Sequence, residues 1–202
     1  MSDKQGLNPP EVWTREYVRT ELWANVYGEP LPLDADPEPG DVDLQTDEMV
    51  AWLSGDCDNI LDVGCGWMWY AAPEWLAVTG FDISPPMIEL GKALHPDREF
   101  YQGTSWDMPF EDGEFCGVRS SEMLRHIKAW EPALAEMVRV ADRRLAFTML
   151  TDDEPRKCGP YQWCTTRKAV VEALPDGVGV DTTVYKAKDG WDFESTLFRV
   201  QL

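Results

Sequence analysis

The segment Leu61-Asp-Val-Gly-Cys-Gly66 constrains this chain more than any other. A short apolar run, Asn59 to Val63, ends in two glycines one residue apart. Glycines at a strand end permit a tight turn and a close backbone approach to a ligand, whose polar groups then meet the amides that open the next element. Eighteen residues beyond Gly64 a second apolar run, Val78-Thr-Gly-Phe-Asp82, ends in a carboxylate. An acid at the tip of a neighbouring strand accepts hydrogen bonds from ribose hydroxyls. Alone, the glycines read as a plain strand-to-helix turn and Asp82 as a helix N-cap. Together they point to a nucleoside-bearing ligand.

The remainder of the chain has a matching rhythm. Periodicity predicts strands near 59–64, 78–83, 99–103, 115–120 and 143–150, and helices near 67–76, 85–95, 122–140 and 161–174. Strands separated by helices imply βαβ units, hence an α/β fold: a Rossmann-like, doubly wound, mainly parallel sheet in three α/β/α layers. Val178 to Ala187, Asp189-Gly190 and Phe193 to Gln201 read as a C-terminal antiparallel hairpin. Upstream, Val12, Trp13, Tyr17, Val18, Leu22, Trp23 and Val26 recur at helical spacing between Pro9-Pro10 and Gly28. A proline-rich acidic loop follows to Gly40, then a short helix over Leu44 to Leu53. The expected division is an N-terminal helical extension or lid over residues 1–55 and a ligand-binding domain over 56–202.

Composition narrows the partners. Lys plus Arg number 18 against 37 Asp plus Glu in 202 residues, a formal charge of −19, which repels nucleic-acid backbones and anionic lipid surfaces. Direct nucleic-acid binding is not expected. No apolar run reaches the ~20 residues of a membrane span, and Met1 to Asn8 hold Asp3 and Lys4 rather than an apolar leader core, so a soluble, cytoplasmic protein without a membrane partner is expected. The five cysteines, Cys57, Cys65, Cys116, Cys158 and Cys164, are odd in number and lack a C-x-x-C pair; they read as reduced thiols, with no metal site. Ten tryptophans are the remaining anomaly.

At this point the chain resembles the class I S-adenosylmethionine-dependent methyltransferase family. The resemblance runs over roughly residues 59–150: Ile60-Leu-Asp-Val-Gly-Cys-Gly66, Gly80-Phe-Asp-Ile-Ser84 with Met87, Met108-Pro-Phe110 with Asp112 and Phe115, Leu124-Arg-His126, and Leu134-Ala-Glu-Met-Val-Arg-Val140. It implies S-adenosyl-L-methionine as cofactor, S-adenosyl-L-homocysteine as product and a small-molecule acceptor. Cofactor contacts then fall at Asp62, Gly64, Cys65, Gly66, Asp82, Ile83, Thr104, Ser105, Trp106 and Ser121. The glycine turn would lie beside the methionine moiety, Asp82 would hold the ribose, and Gly103 to Phe110 would meet the adenine.

Departures from the family pattern are as specific as the matches. The third glycine falls at Met68, and Pro73 interrupts a short first crossover. The acid that often meets the adenine amino group falls at Thr104, and the Asp that commonly follows Phe in the fourth strand falls at Cys116, so adenine recognition rests on Thr104, Ser105 and Trp106 or on backbone groups. His126, just after the fourth strand, is the candidate general base for an oxygen acceptor, and Glu122 the alternative. The bland readings are that His126 orients a loop and that Glu122 caps the helix after Ser120 and Ser121. His95, before Pro96, reads as a surface or capping residue.

Trp13, Trp23, Trp67, Trp69, Tyr70, Trp106 and Trp163 all fall where they can reach the carboxyl ends of the strands. Any one tryptophan is more often core, but three or more of this set are expected to line the pocket, with cation–π attraction for the sulfonium. Acceptor oxygen, nitrogen or sulfur, and monomer or homodimer, stay open. So do two other functions: a catalytically silent or regulatory S-adenosylmethionine-binding protein, and a nucleic-acid or protein modification enzyme acting with a partner.

Overall fold

The apolar run before the glycine pair becomes the central strand. The computed structural model describes residues 44–68, 72–159, 162–186 and 193–202. In it β1 (Asn59–Val63) is buried from Ile60 onward, as a parallel strand covered on both faces must be. β2 (Ala77–Asp82) pairs with β1 on one side and with β3 (Glu99–Gln102) on the other, all parallel. β4 (Phe115–Ser120) pairs with the opposite edge of β1 and with β5 (Ala141–Thr151), again parallel. β6 (Arg156–Gly159) and β7 (Gln162–Cys164) form a separate antiparallel pair. β8 (Gly179–Lys186) and β9 (Glu194–Gln201) complete the main sheet antiparallel, in the order β3-β2-β1-β4-β5-β9-β8. The strand order reverses between β1 and β4, and the crevice over their carboxyl ends is where such a sheet receives ligands.

Among the described residues four helices cover the faces: α1 (Leu44–Ser54), α2 (Pro85–Leu94), α3 (Glu131–Val140) and α4 (Arg167–Glu172). Alternate residues of β1 feed two cores. Ile60 packs with Met49 and Leu53 of α1 and Ile88 of α2, whereas Leu61 and Val63 pack with Leu134 and Met137 of α3 and Val170 of α4. Phe100 fills the notch that Gly80 and Gly91 leave, since a Cβ at either glycine would lie 2.6 or 2.5 Å from its ring. The three-layer architecture and the C-terminal antiparallel strands agree with the sequence pattern. α1, read as part of the extension, supplies core residues to the sheet. The helix over Pro9 to Gly28, the proline-rich loop, Trp13, Trp23, Trp69, Tyr70 and the Asp189-Gly190 turn lie outside the described residues.

Three helix boundaries are corrected. No helix forms among the described residues of 67–76: Gly64, Gly66 and Met68 all take positive φ (75°, 55° and 57°), incompatible with a right-handed helix, and Pro73 withholds an amide. The span 122–140 divides into a 3-10 turn, Leu124–His126, and α3, because Glu122 is left-handed (φ 63°) and Pro132 fits only the first turn of a helix. The span 161–174 opens with β7 and becomes helical only after Thr166, whose Oγ1 accepts the Ala169 amide at 3.0 Å.

The reduced-thiol reading also needs correction. Cys57 and Cys116 form a disulfide, with Cα atoms 5.3 Å apart. Parallel pairing of β1 with β4 brings the turn before β1 against the start of β4, a proximity that a sequence separation of 59 conceals. The closed loop is long, so reduction, or Cys116→Ser, is expected to lower unfolding free energy by about 2–4 kcal/mol. Denaturant titration of the oxidised and reduced protein measures this; equal midpoints would contradict it.

Candidate functional site

Backbone amides and one carboxylate shape the turn after β1. The amides of Gly64 and Cys65 donate to the Phe81 carbonyl at 2.7 and 3.2 Å. Gly66 N donates to Oδ2 of Asp82 at 2.9 Å, and Ser84 N donates to Oδ1 at 2.8 Å. Asp82 thus joins the tip of β2 to the β1 turn and to the start of α2. Each carboxylate oxygen accepts one amide and retains capacity for another donor. Burial pushes the Asp82 carboxyl up, while the Ser84 and Gly66 amides pull it back.

Gly64 is required twice over: its φ is 75°, and a Cβ there would come within 2.4 Å of Met123 Cγ. At Gly66 an added Cβ meets nothing within 4 Å among the described residues, so open space lies against this stretch of backbone. Met68, standing where the family has its third glycine, keeps the left-handed conformation and is wholly buried. Its amide donates to the Cys65 carbonyl at 2.8 Å, its carbonyl pairs with His95 Nε2 at 2.9 Å, and Arg98 Nη1 lies 2.9 Å from its sulfur. His95, expected at the surface or in a cap, ends α2 and also ties that helix to the β1 turn, its ring stacked on Phe100.

Two predicted contact residues turn their side chains inward. Asp62, 2% exposed, forms an ion pair with Arg119 of β4, Oδ1 to Nε 3.4 Å. Arg119 escaped notice in the sequence, although a signal was there: an arginine within an apolar strand needs a carboxylate, and Asp62 is the sole acid in β1. Cys65 Sγ packs where a Gly80 Cβ would otherwise stand, 2.9 Å away. Its thiol is pushed up by burial and then by the nearby carboxylates of Asp62 and Asp82. Cys65 therefore presents only backbone to a ligand over the turn.

The other wall follows β4. Ser120 Oγ donates to the Val63 carbonyl at 2.8 Å, fastening the ends of β1 and β4 together. Half-buried Ser121 and left-handed Glu122 come next. Glu122 does not cap a helix: its amide donates to Thr148 Oγ1 at 2.7 Å, its Oε1 accepts that hydroxyl at 3.2 Å, and its Oε2 pairs with Arg125. His126, half-buried, closes the 3-10 turn, its amide donating to the Met123 carbonyl at 3.0 Å. Since Met123 packs on Gly64, Ser121, Glu122 and His126 are held on a loop lodged against the glycine turn.

Residues 61–144 match the family described as a methyltransferase domain. The demethylmenaquinone methyltransferase of Renibacterium salmoninarum is 37% identical over 120 residues, 58% of this chain and 50% of that protein. Residues 61–144 are thus similar to a methyltransferase domain, in agreement with the resemblance read from the sequence. Ajmaline N-methyltransferase of Rauvolfia serpentina is 33% identical over 93 residues, 41% of this chain and 32% of that protein. The chain thus spans half the length or less of these curated relatives. Among solved structures, magnesium protoporphyrin IX methyltransferase from Synechocystis PCC 6803 with bound SAM aligns at TM-score 0.64 and 16% identity, over 96% of this chain and 97% of that one. The cyclase SpnF aligns at TM-score 0.68 and 14% identity, over 91% and 92%. These likenesses show the fold alone; that a cyclase shares it leaves the reaction to the site.

Within the matched segment the predicted adenine stretch has its own anchor. Thr104 to Asp107 form a turn closed by Asp107 N to the Thr104 carbonyl at 3.2 Å, with Thr104, Ser105 and Trp106 half-buried. Beside it, Gln102 Nε2 donates to the Ile83 carbonyl at 3.4 Å. Glu136 Oε2 accepts the Met108 amide at 2.9 Å, and Arg139 donates to the Met108 and Phe110 carbonyls at 3.1 and 2.8 Å. The Glu-x-x-Arg spacing puts both side chains on one face of α3, where they clamp residues 108–110.

The tryptophans divide by role. Trp67 is 8% exposed, packs on Met87, Leu90 and Leu94, and its Nε1 is buried without a hydrogen-bond partner among the described residues. Trp106 lies in the Thr104–Asp107 turn, and Trp163 lies beside Lys128 and Lys157, whose ammonium groups stand 5.1 and 5.8 Å from its ring centre. Trp130 is core and Trp75 is 60% exposed, while Trp52 stacks with Arg144. The cation–π contacts among the described residues are therefore internal.

Met68 allows magnitudes to decide a substitution. A left-handed non-glycine residue costs roughly 1–2 kcal/mol, whereas deleting a buried methionine side chain costs about 2–5 kcal/mol. Met68→Gly, although it restores the family's glycine, is expected to lower unfolding free energy by about 1–3 kcal/mol. A denaturation midpoint above that of the parent would contradict this.

Proposed function

We propose that this chain transfers the methyl group of S-adenosylmethionine to a small-molecule acceptor and releases S-adenosylhomocysteine. The observation that carries the reading is the joint between Gly66 and Asp82: open backbone on one side, and on the other a half-buried carboxylate that fixed amides hold with accepting capacity to spare. That joint fits a ribose whose two hydroxyls donate to Asp82. The orphaned indole N–H of Trp67, next to the same turn, adds a buried donor suited to a ligand acceptor atom. Thr104, Ser105 and Trp106 would flank the adenine, held in register by Glu136 and Arg139. The curated relatives are named for small organic molecules, demethylmenaquinone and ajmaline, which supports the acceptor class.

When bound, the cofactor supplies a methyl carbon activated by its sulfonium. The chain's own task is alignment and exclusion of water. Asp82 and the glycine turn fix the cofactor, while the loop of Ser121, Glu122 and His126 faces the acceptor. For a hydroxyl acceptor His126 takes the proton as the oxygen attacks; a neutral amine or thiolate needs only orientation. Glu122, already engaged with Thr148 and Arg125, positions this loop and is the poorer base. The acceptor chemistry and a cytoplasmic location belong to this proposal; with Cys57 buried and Cys116 half-buried, the Cys116 sulfur is the one a thiol reductant would reach. A second reading, cofactor binding without turnover, draws support from Met68 and Thr104 at positions where the family has glycine and acid.

Calorimetry with S-adenosylmethionine and S-adenosylhomocysteine tests the core of the proposal: absence of heat with both would end it, and binding without turnover on an acceptor panel would favour the second reading. Asp82→Asn is expected to weaken S-adenosylmethionine by roughly 10- to 100-fold, the value of about 1.5–3 kcal/mol for hydrogen bonds to a charged group. Ribose hydroxyls donate to the carboxylate form. Because burial raises the Asp82 pKa, affinity should fall on acidification at a higher pH than an ordinary carboxyl would give, and Asp82→Asn should lack that fall. His126→Ala is expected to lower kcat by about 100-fold or more for hydroxyl acceptors while leaving cofactor affinity within error; an unchanged kcat would remove His126 as the base.

A further inference from the structure

Two of the free cysteines meet outside the cofactor turn. β6 and β7 pair antiparallel, with Arg156 opposite Cys164 and Lys157 opposite Trp163. The register shifts between Lys157 and Gly159, so Cys158 sits at a β-bulge, and its side chain packs in the same apolar cluster as Cys164. The two thiols lie within hydrogen-bonding reach of each other. Both pack against Leu150 and Phe193, Cys164 buried and Cys158 half-buried. Cys158 is thus the sulfur that a small reagent reaches first; burial pushes its thiol up, and the Cys164 hydrogen bond and the guanidiniums of Arg156 and Arg125 offset part of that rise. Cys65, the third free thiol, is sealed in the core.

The hairpin that carries this pair is coupled to the acceptor side. The Thr165 amide donates to the Leu150 carbonyl at 3.0 Å and the Asp152 amide to the Thr165 carbonyl at 2.9 Å, docking β7 on the end of β5. The Trp163 ring, adjacent to Cys164, takes the ammonium of Lys128, two residues past His126. A movement of Cys164 toward β6 is therefore felt at the loop that follows β4.

We infer that Cys158 and Cys164 are a redox-sensitive dithiol whose closure to a disulfide fixes the β6–β7 hairpin beside the turn bearing His126. The oxidant is a low-molecular-weight disulfide such as oxidised glutathione. The Cys158 thiolate attacks one glutathione sulfur, breaks its S–S bond and expels one glutathione thiolate. Cys164 then gives up its proton and attacks the Cys158 sulfur of the mixed disulfide, expelling the second. The two cysteines lose two electrons, one glutathione disulfide becomes two thiols, and the two cysteine protons end on those thiols. Sulfurs that start in hydrogen-bonding contact must close to about 2.05 Å, a displacement that pulls Trp163 with them. Only the consequence for the acceptor rests on the methyl-transfer reading; the disulfide itself does not.

The test uses the full chain in glutathione buffers of graded oxidation, with alkylation of free thiols and peptide mapping by mass spectrometry. A Cys158–Cys164 linked peptide is expected on the oxidised side and its loss in dithiothreitol, while Cys65 stays reduced and alkylates only after unfolding. Cys158→Ser should leave Cys164 reduced in the same buffers, and Cys158→Ala should do likewise. A stable glutathione adduct on Cys158, or both thiols alkylating at every poise, would overturn the inference. Hydrogen exchange of the β6 and β7 amides is expected to slow several-fold in the oxidised parent but not in Cys158→Ser; unchanged exchange would overturn the mechanical half. S-adenosylmethionine affinity should be equal in the two redox states, and a selective loss on oxidation would count against the inference. Absence of binding in both states would defeat the methyl-transfer reading instead, with the peptide map still deciding the dithiol.

Discussion

A single carboxylate, Asp82, receives the amides of Gly66 and Ser84, and through them the turn after β1, the tip of β2 and the start of α2 become one rigid corner. Remove that acceptor and two amides in a sparsely solvated turn lose their partner, at a cost of about 1–3 kcal/mol each. The left-handed backbone at Gly64, Gly66 and Met68 depends on the same anchor, because a loop in this conformation lacks the repeating bonds of a helix to hold it. Met68 and His95 brace the corner from behind, and Met123 closes it from the β4 side. The proposed cofactor site is thus a surface that the fold must make rigid in order to turn the chain at all.

The two walls of the crevice are built from different materials. In the proposed site the cofactor would meet mainly backbone, at Gly64 to Gly66, with one acid, and the acceptor would meet side chains of loops, at Ser121, Glu122, His126 and the β6–β7 hairpin. Backbone recognition leaves a stereochemical signature, glycine where φ is positive, and a strand-tip acid at fixed spacing. Side-chain recognition on loops leaves none, since loop lengths and residues vary with the ligand. This is why the mainly parallel sheet and the spacing between the glycine pair and Asp82 are legible in the sequence, while the acceptor is not.

The misreadings have the same physical origin. Residues 67–76 have helix-like composition, but the left-handed turn is carried on to Met68, a residue that gives no warning of positive φ. Gln162 to Cys164 form a strand whose partner lies a few residues upstream, and short strands of polar and aromatic residues lack a distinctive period. The Cys57–Cys116 bond and the Asp62–Arg119 pair both join β1 to β4 across more than fifty residues of chain; each is a consequence of the parallel pairing and becomes visible only once that pairing is known. Arg119 was the exception, legible in principle because an arginine in a buried strand demands a carboxylate.

Charge shows how far a global count reaches. The formal charge of −19 argues against a polyanionic surface as partner, where many phosphates sum their repulsion. An acceptor in the crevice, however, feels mainly groups within the ~8 Å screening length at physiological salt. There the arginines are largely matched: Arg125 with Glu122 and Arg156 with Asp152. Lys128 and Lys157 instead stand against the ring of Trp163 rather than beside a carboxylate among the described residues. The charge that bears on a ligand is thus set pair by pair along these loops, and the total of −19 does not transfer to any one of them.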